Sequence, residues 1–179
     1  MKKILPLSAL LLFGASTLLA QESKDDVLKD LDAKTKKYGE IAHNIWDFAE
    51  MGYLEEQSSG LLQKTLSDAG FSIKKGIAGI PTAFMAEYGS GYPVIAILGE
   101  FDALPGLSQQ AVPEKVSAGK AAGHACGHHL FGTASTAAAI SVKDWLKSNK
   151  IQGTIRFYGC PAEEGGSGKV YMVREGVFS

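Results

Sequence analysis

Pro93-Val94-Ile95-Ala96-Ile97-Leu98 runs directly into Gly99-Glu100-Phe101-Asp102-Ala103-Leu104-Pro105. The first six residues are apolar on both alternating faces. Such a run predicts a strand buried on both sides, as in a sheet covered by helices. It ends in two carboxylates and a proline, so a polar loop starts where the strand stops. Residues 106–123 are then rich in Gly, Ser, Gln, Pro and Ala. A loop of that length is a candidate functional loop.

Working outward, helical and strand patterns alternate. Lys24 to Glu50 reads as one amphipathic helix, with Leu28, Leu31, Tyr38, Ile41, Ile45, Trp46 and Phe48 on the inner face. His43 falls on it and reads as an ordinary, partly exposed helix residue. A second helix is expected from about Glu56 to Ala69, with Leu61, Leu62 and Leu66 inward and Gly70 closing it. Phe71 to Lys74 and Pro81 to Tyr88 read as strands. Gly127 to Lys147 reads as an Ala-rich helix with Leu130, Ala134, Ala137, Ala138 and Val142 inward. Gly153 to Gly159 reads as a strand with Ile155 and Phe157 on one side and Arg156 and Tyr158 on the other. A last short helix is expected over Gly168 to Glu175. The class is therefore α/β, a mixed sheet with helices on both faces.

Composition bounds the function. The chain has 179 residues, 45% of them hydrophobic and 21% charged, enough for one core. Lys2 and Lys3, the apolar run from Ile4 to Phe13 and the small Ala20 read as a secretory signal over residues 1–20. Gly14, Ser16 and Thr17 interrupt the run, which argues against a stable membrane anchor. Without the two signal lysines the mature chain carries 18 − 2 = 16 basic against 19 acidic residues, a net of −3. No basic stripe is present, so nucleic acid is not an expected partner. Export to the periplasm or the extracellular space is expected. It would permit a disulfide between Cys126 and Cys160, but each cysteine sits beside other metal-ligand types.

The chemistry is concentrated in two stretches. Gly123-His124-Ala125-Cys126-Gly127-His128-His129 packs one thiol and three imidazoles into seven residues. Cys160-Pro161-Ala162-Glu163-Glu164-Gly165-Gly166 places paired carboxylates after a strand. Thiolate, imidazole and carboxylate are the donors of a hydrolytic metal site. Cys126 and His128 converge only if Gly127 takes an irregular turn before the helix starts, and that helix N-terminus should favour the thiolate. One of Glu163 and Glu164 could bind metal while the other takes a proton from water. Asp102 could orient a ligand imidazole, and Glu100 could be a further weak ligand. Zinc deaminase and thioredoxin-like signatures are absent.

In order, Glu100-Phe101-Asp102-Ala103-Leu104-Pro105, His124-Ala125-Cys126-Gly127-His128 and Pro161-Ala162-Glu163-Glu164-Gly165-Gly166 resemble the M20 metallopeptidases. The nearest branch is that of the aminobenzoyl-glutamate and N-acyl amino acid hydrolases. The resemblance implies a zinc-peptidase-like catalytic domain, with residues 21–179 as its N-terminal part and the lid and dimerisation domain outside this stretch. It implies metal ligation by Cys126, as a bridging ligand, His128 and Glu164. Glu163 would be the general base, with Asp102 orienting the site. Two divalent ions per complete chain, zinc or manganese, would bind the water that attacks an amide bond in an N-acyl or N-aroyl amino acid or dipeptide. The complete protein would be a homodimer acting on a small-molecule amide. The family needs two more histidine ligands than this stretch supplies, so the 179 residues alone are expected to be inactive. The alternative is a truncated, non-catalytic metal-binding chain or an inactive partner subunit. Two positions depart from the family pattern: His129, where many relatives carry Asp, and Cys160, where Gln is usual.

Overall fold

The computed structural model describes residues 23–179. The expected signal over residues 1–20 lies outside them.

Three helices pack on one face of a four-stranded sheet, and a fourth packs on them. The expected first helix is two: α1 (Lys24–Ala33) and α2 (Thr35–Phe48), interrupted at Lys34. Ser23 caps α1 through a reciprocal box with Asp26. Leu28, expected inward, is exposed, and the buried stripe of α2 is Ile41, Ala42 and Ile45. Helix α3 (Glu56–Asp68) buries Leu62 and Leu66. The Glu50 carboxylate, from the preceding loop, accepts the Gln57 and Ser58 amides at 3.0 and 2.8 Å. It satisfies two of the free N–H groups at the start of α3.

The strands are β1 (Ser72–Lys75), β2 (Phe84–Ser90), β3 (Val94–Gly99) and β6 (Gly153–Gly159). Their order is β1-β2-β6-β3, antiparallel except for the parallel pair β3–β6. Helix α4 (His128–Ser148) is the crossover between those two strands. A two-residue ladder, β4 (Leu104–Pro105) with β5 (Ala122–Gly123), pins the two ends of the long loop together.

Alternation along the strands divides the core. Phe84 and Ala86 of β2, Ile155 and Phe157 of β6 and Ile97 of β3 face α2, α3 and α4. The Phe84 ring stacks on Phe157 and Phe101 at centroid distances of 5.6 and 6.3 Å. Burying a ring of this size contributes about 1.5–3 kcal/mol. Met85, Leu98 and Tyr158 face the other side, over Ile77, Ile80 and Met172. Helix α6 (Gly168–Arg174) and a 3-10 turn (Ile77–Gly79) cover that side in part. The fold is thus the expected mixed α/β sheet.

Two further expectations about burial fail. β3 is not covered on both sides; it is the edge strand, with Val94 41% and Ile95 47% exposed. On α4, Leu130, Ala134 and Ala138 also face outward, and Phe131 joins them. The apolar run reflects the composition of an interior strand. Among the described residues nothing pairs with its outer edge.

Candidate metal centre

β3 and β6 are parallel, so their carboxyl ends lie side by side, where ligands bind in such sheets. Past Gly99 the chain supplies Glu100 and Asp102. Past Gly159 it supplies Cys160, then Glu163 and Glu164. Gly132, in the second turn of α4, fixes the gap between them. A Cβ there would lie 2.4 Å from the Glu100 carbonyl oxygen, so only glycine lets the helix start approach the end of β3.

Gly127 is the N-cap of α4 with φ 88°. That left-handed turn is the irregularity the sequence demands, and it brings Cys126 and His128 to one side. The turn Glu163–Gly166 (α5) is bracketed by Ala162 and Ser167, both non-glycine residues at positive φ of 55° and 57°. Such backbone costs on the order of 1–3 kcal/mol and persists where surroundings enforce it. Here Glu55 enforces it: this fully buried carboxylate accepts the Ala162 amide at 2.7 Å and the Thr82 hydroxyl at 3.0 Å. Burial pushes the Glu55 carboxyl above its ordinary range, although these hydrogen bonds oppose the shift.

His128 is the hub. Its Nδ1 meets the Asp102 carboxylate at 2.9 Å and the Asp102 carbonyl at 3.2 Å. The other Asp102 oxygen accepts the Glu164 amide at 2.8 Å. Asp102 is 1% exposed. Burial opposes its charge, but the His128 and Glu164 hydrogen bonds outweigh it and hold the carboxyl below its ordinary range. Burial likewise opposes charge on His128; Asp102, Glu100 and Glu164 overcome it and raise the imidazole. With Nδ1 held by Asp102, Nε2 faces Glu100 Oε2 at 2.9 Å and Glu163 Oε2 at 3.7 Å. Cys126 is exposed at the rim. The expected thiolate preference is reversed without a cation: Glu164 first, then Glu163 and Glu100, holds the Cys126 thiol above its ordinary range.

Two groups of donors gather within 4.8 Å: Cys126, His128 and Glu164, and Glu100, His128 and Glu163. Cys126, His128, Glu100, Glu163 and Glu164 therefore lie in one cluster, with Asp102 bonded to His128. These residues fit a divalent ion. Glu164 Oε1 is buried with no hydrogen-bond partner, which is costly unless a cation meets it. A thiol crowded by carboxylates likewise becomes a good donor only beside positive charge. His43, His124 and His129 stand outside the cluster. His43 pairs with Asp47 at 3.1 Å on the exposed face of α2. His124 is 8% exposed, bonded to the Ile45 carbonyl at 3.0 Å, and held neutral by burial, its pKa lowered to about 4. The two cysteines are free; Cys160 lies in the core under the site, where burial pushes its thiol up to about 12.

The stretch that holds the cluster matches a known family. Peptidase family M20/M25/M40 matches residues 96–179, which contain all of it. One of the subunits of the Escherichia coli p-aminobenzoyl-glutamate hydrolase is 53% identical over 83% of this chain and 31% of its own length. The chain belongs to the M20 peptidase family. A mouse Xaa-Arg dipeptidase is 30% identical over 83% of the chain and 34% of its own. A dinuclear metal-binding M20 peptidase from Bacillus subtilis superposes with a TM-score of 0.67 at 26% identity, over 83% of this chain and 41% of that one. The chain spans about a third of the length of the curated relatives it matches.

Two site residues escaped the sequence reading. Glu55 sits in Leu54-Glu55-Glu56, which looks like a solvated helix start. Lys169 opens a short helix, yet its ammonium reaches Glu100. Neither carries a local signal, because each partner lies at least 69 residues away along the chain, apart from Thr82.

Proposed function

We propose that this chain is the metal-binding N-terminal part of an exported amidohydrolase. The complete protein would cleave an amide bond in N-acyl or N-aroyl amino acids or dipeptides, of the aminobenzoyl-glutamate kind. One observation carries the reading: Cys126, His128 and Glu164 present donor atoms within 4.8 Å of one another at the carboxyl ends of two parallel strands.

Each side chain has a task there. Cys126, His128 and Glu164 would hold the ion. Asp102 fixes the ring of His128, so that Nε2 is the nitrogen offered. Glu163, its side chain 43% exposed and its Oε2 3.7 Å from that nitrogen, is free to take a proton from water and return it to the leaving amine. Zinc or manganese, two per complete chain, would supply Lewis acidity and lower the pKa of water. The identity of the E. coli and mouse relatives supports an amide substrate bearing a free carboxylate. A homodimer is proposed for a protein of the relatives' length.

The test is metal content together with turnover. The chain should bind zinc or manganese, and Cys126→Ser should reduce the amount bound. Turnover of aminobenzoyl-glutamate is expected from a protein of the relatives' length and little or none from these 179 residues. Unchanged metal in the Cys126→Ser variant would refute the ligand assignment. A second reading, a non-catalytic metal-binding partner, is favoured by one observation: no other histidine among the described residues joins either donor group. Absence of amide hydrolysis by a metal-loaded protein of full family length would select it.

A further inference from the structure

His128 belongs to both donor groups. Its Nδ1 is committed to Asp102, so Nε2 alone remains, and it can serve one ion. The nearest oxygen to Nε2 is not from the paired glutamates but from Glu100, at 2.9 Å. A Glu100 carboxylate at that place, 12% exposed, is well placed to compete for the ion or join it. Its other oxygen, however, is bound by the Lys169 ammonium. Glu100 follows β3 and Lys169 lies in the first turn of α6, so the pair ties the end of β3 to that helix across the site. A carboxylate that already shares its charge with an ammonium is a weaker donor to a metal. A hydrolytic centre also needs an unfilled coordination position, which a further carboxylate would take.

We propose that Lys169 is a positioning residue of the metal centre. By binding one oxygen of Glu100 it keeps that carboxylate from joining an ion held on His128 Nε2. The proposal rests on the reading of Cys126, His128 and Glu164 as ligands.

Cobalt(II) titration of this chain tests it, because cobalt reports coordination number in its visible absorption and a thiolate ligand in its near-ultraviolet charge-transfer band. In Lys169→Met, Glu100 should join the ion. Visible absorption should weaken, as expected for a higher coordination number, and cobalt should bind about 10-fold tighter or more, because affinity rises with the number of charged ligands. Adding Glu100→Gln to that variant should return both readouts to the wild-type values, and Lys169→Arg should preserve them. Glu100→Gln alone should change affinity by less than about 10-fold; a larger loss would make Glu100 a ligand and overturn the proposal, even if Lys169→Met does not fold. A Lys169→Met spectrum equal to wild type, or a change that persists in the double variant, would also overturn it. Wild-type cobalt binding without a thiolate band would instead break the ligand reading beneath it, and the proposal with it.

Discussion

β3 and β6 are neighbours, parallel, in register from Val94 opposite Thr154 to Gly99 opposite Gly159, and both feed the same site. Their surroundings differ. β6 has strands on both sides, and Ile155 and Phe157 are 1% and 0% exposed. β3 has one neighbour, and Val94 and Ile95 are 41% and 47% exposed. Yet beyond the strand ends the contrast disappears: Phe101 and Asp102 are 0% and 1% exposed, as tightly enclosed as Pro161 and Ala162. Past Gly99, which still pairs with β6, the chain is held by the Asp102 carboxylate, by the Ala103 amide on the Glu50 carbonyl and by the close approach of Gly132 of α4. The lesson is that the site can be well ordered while the strand leading to it is open along one edge.

The largest effect should separate the two strands directly. Phe157→Ala removes a ring from the centre of the core and should cost about 3–5 kcal/mol in urea unfolding. Ile95→Thr, on the open edge, should stay within about 0.5 kcal/mol. Equal costs would show that the β3 edge is covered in solution.

Next in size is Asp102→Ala. It leaves His128 Nδ1 with only the Asp102 carbonyl at 3.2 Å and strands the Glu164 amide, a donor that costs about 1–3 kcal/mol when unpaired. Stability should fall, and metal affinity should drop about 10–100-fold. A loss of stability without a loss of metal affinity would separate Asp102 from the site.

The smallest is a pH slope at Glu55. Its folded pKa lies above the ordinary 4.5. The native state therefore keeps a proton that the unfolded chain has lost, and this contribution is fully present below 4.5 and fades as pH rises through the folded value. Stability of the wild type relative to Glu55→Gln should fall with rising pH across that window. A pH-independent difference would mean that Glu55 is not protonated on burial.

Local patterns made most of the fold readable. The strand and helix spans around β3, α4 and β6 follow from apolar runs and from glycines at their ends, and Gly127 had to be irregular for Cys126 and His128 to meet. What stayed hidden depends on partners distant in the chain. An apolar run such as Val94–Leu98 states what the strand tolerates, not which neighbours it has, so its edge position was not visible. The break at Lys34 has no glycine or proline to announce it. Glu55 and Lys169 look like solvated charges until tertiary contacts bring Ala162 and Glu100 to them.

The most direct test of the metal centre is zinc K-edge X-ray absorption on the chain loaded with one equivalent of zinc. A sulfur shell at about 2.3 Å, with nitrogen and oxygen neighbours, is expected in the wild type and should vanish in Cys126→Ser. A wild-type spectrum with light-atom neighbours only would contradict the account.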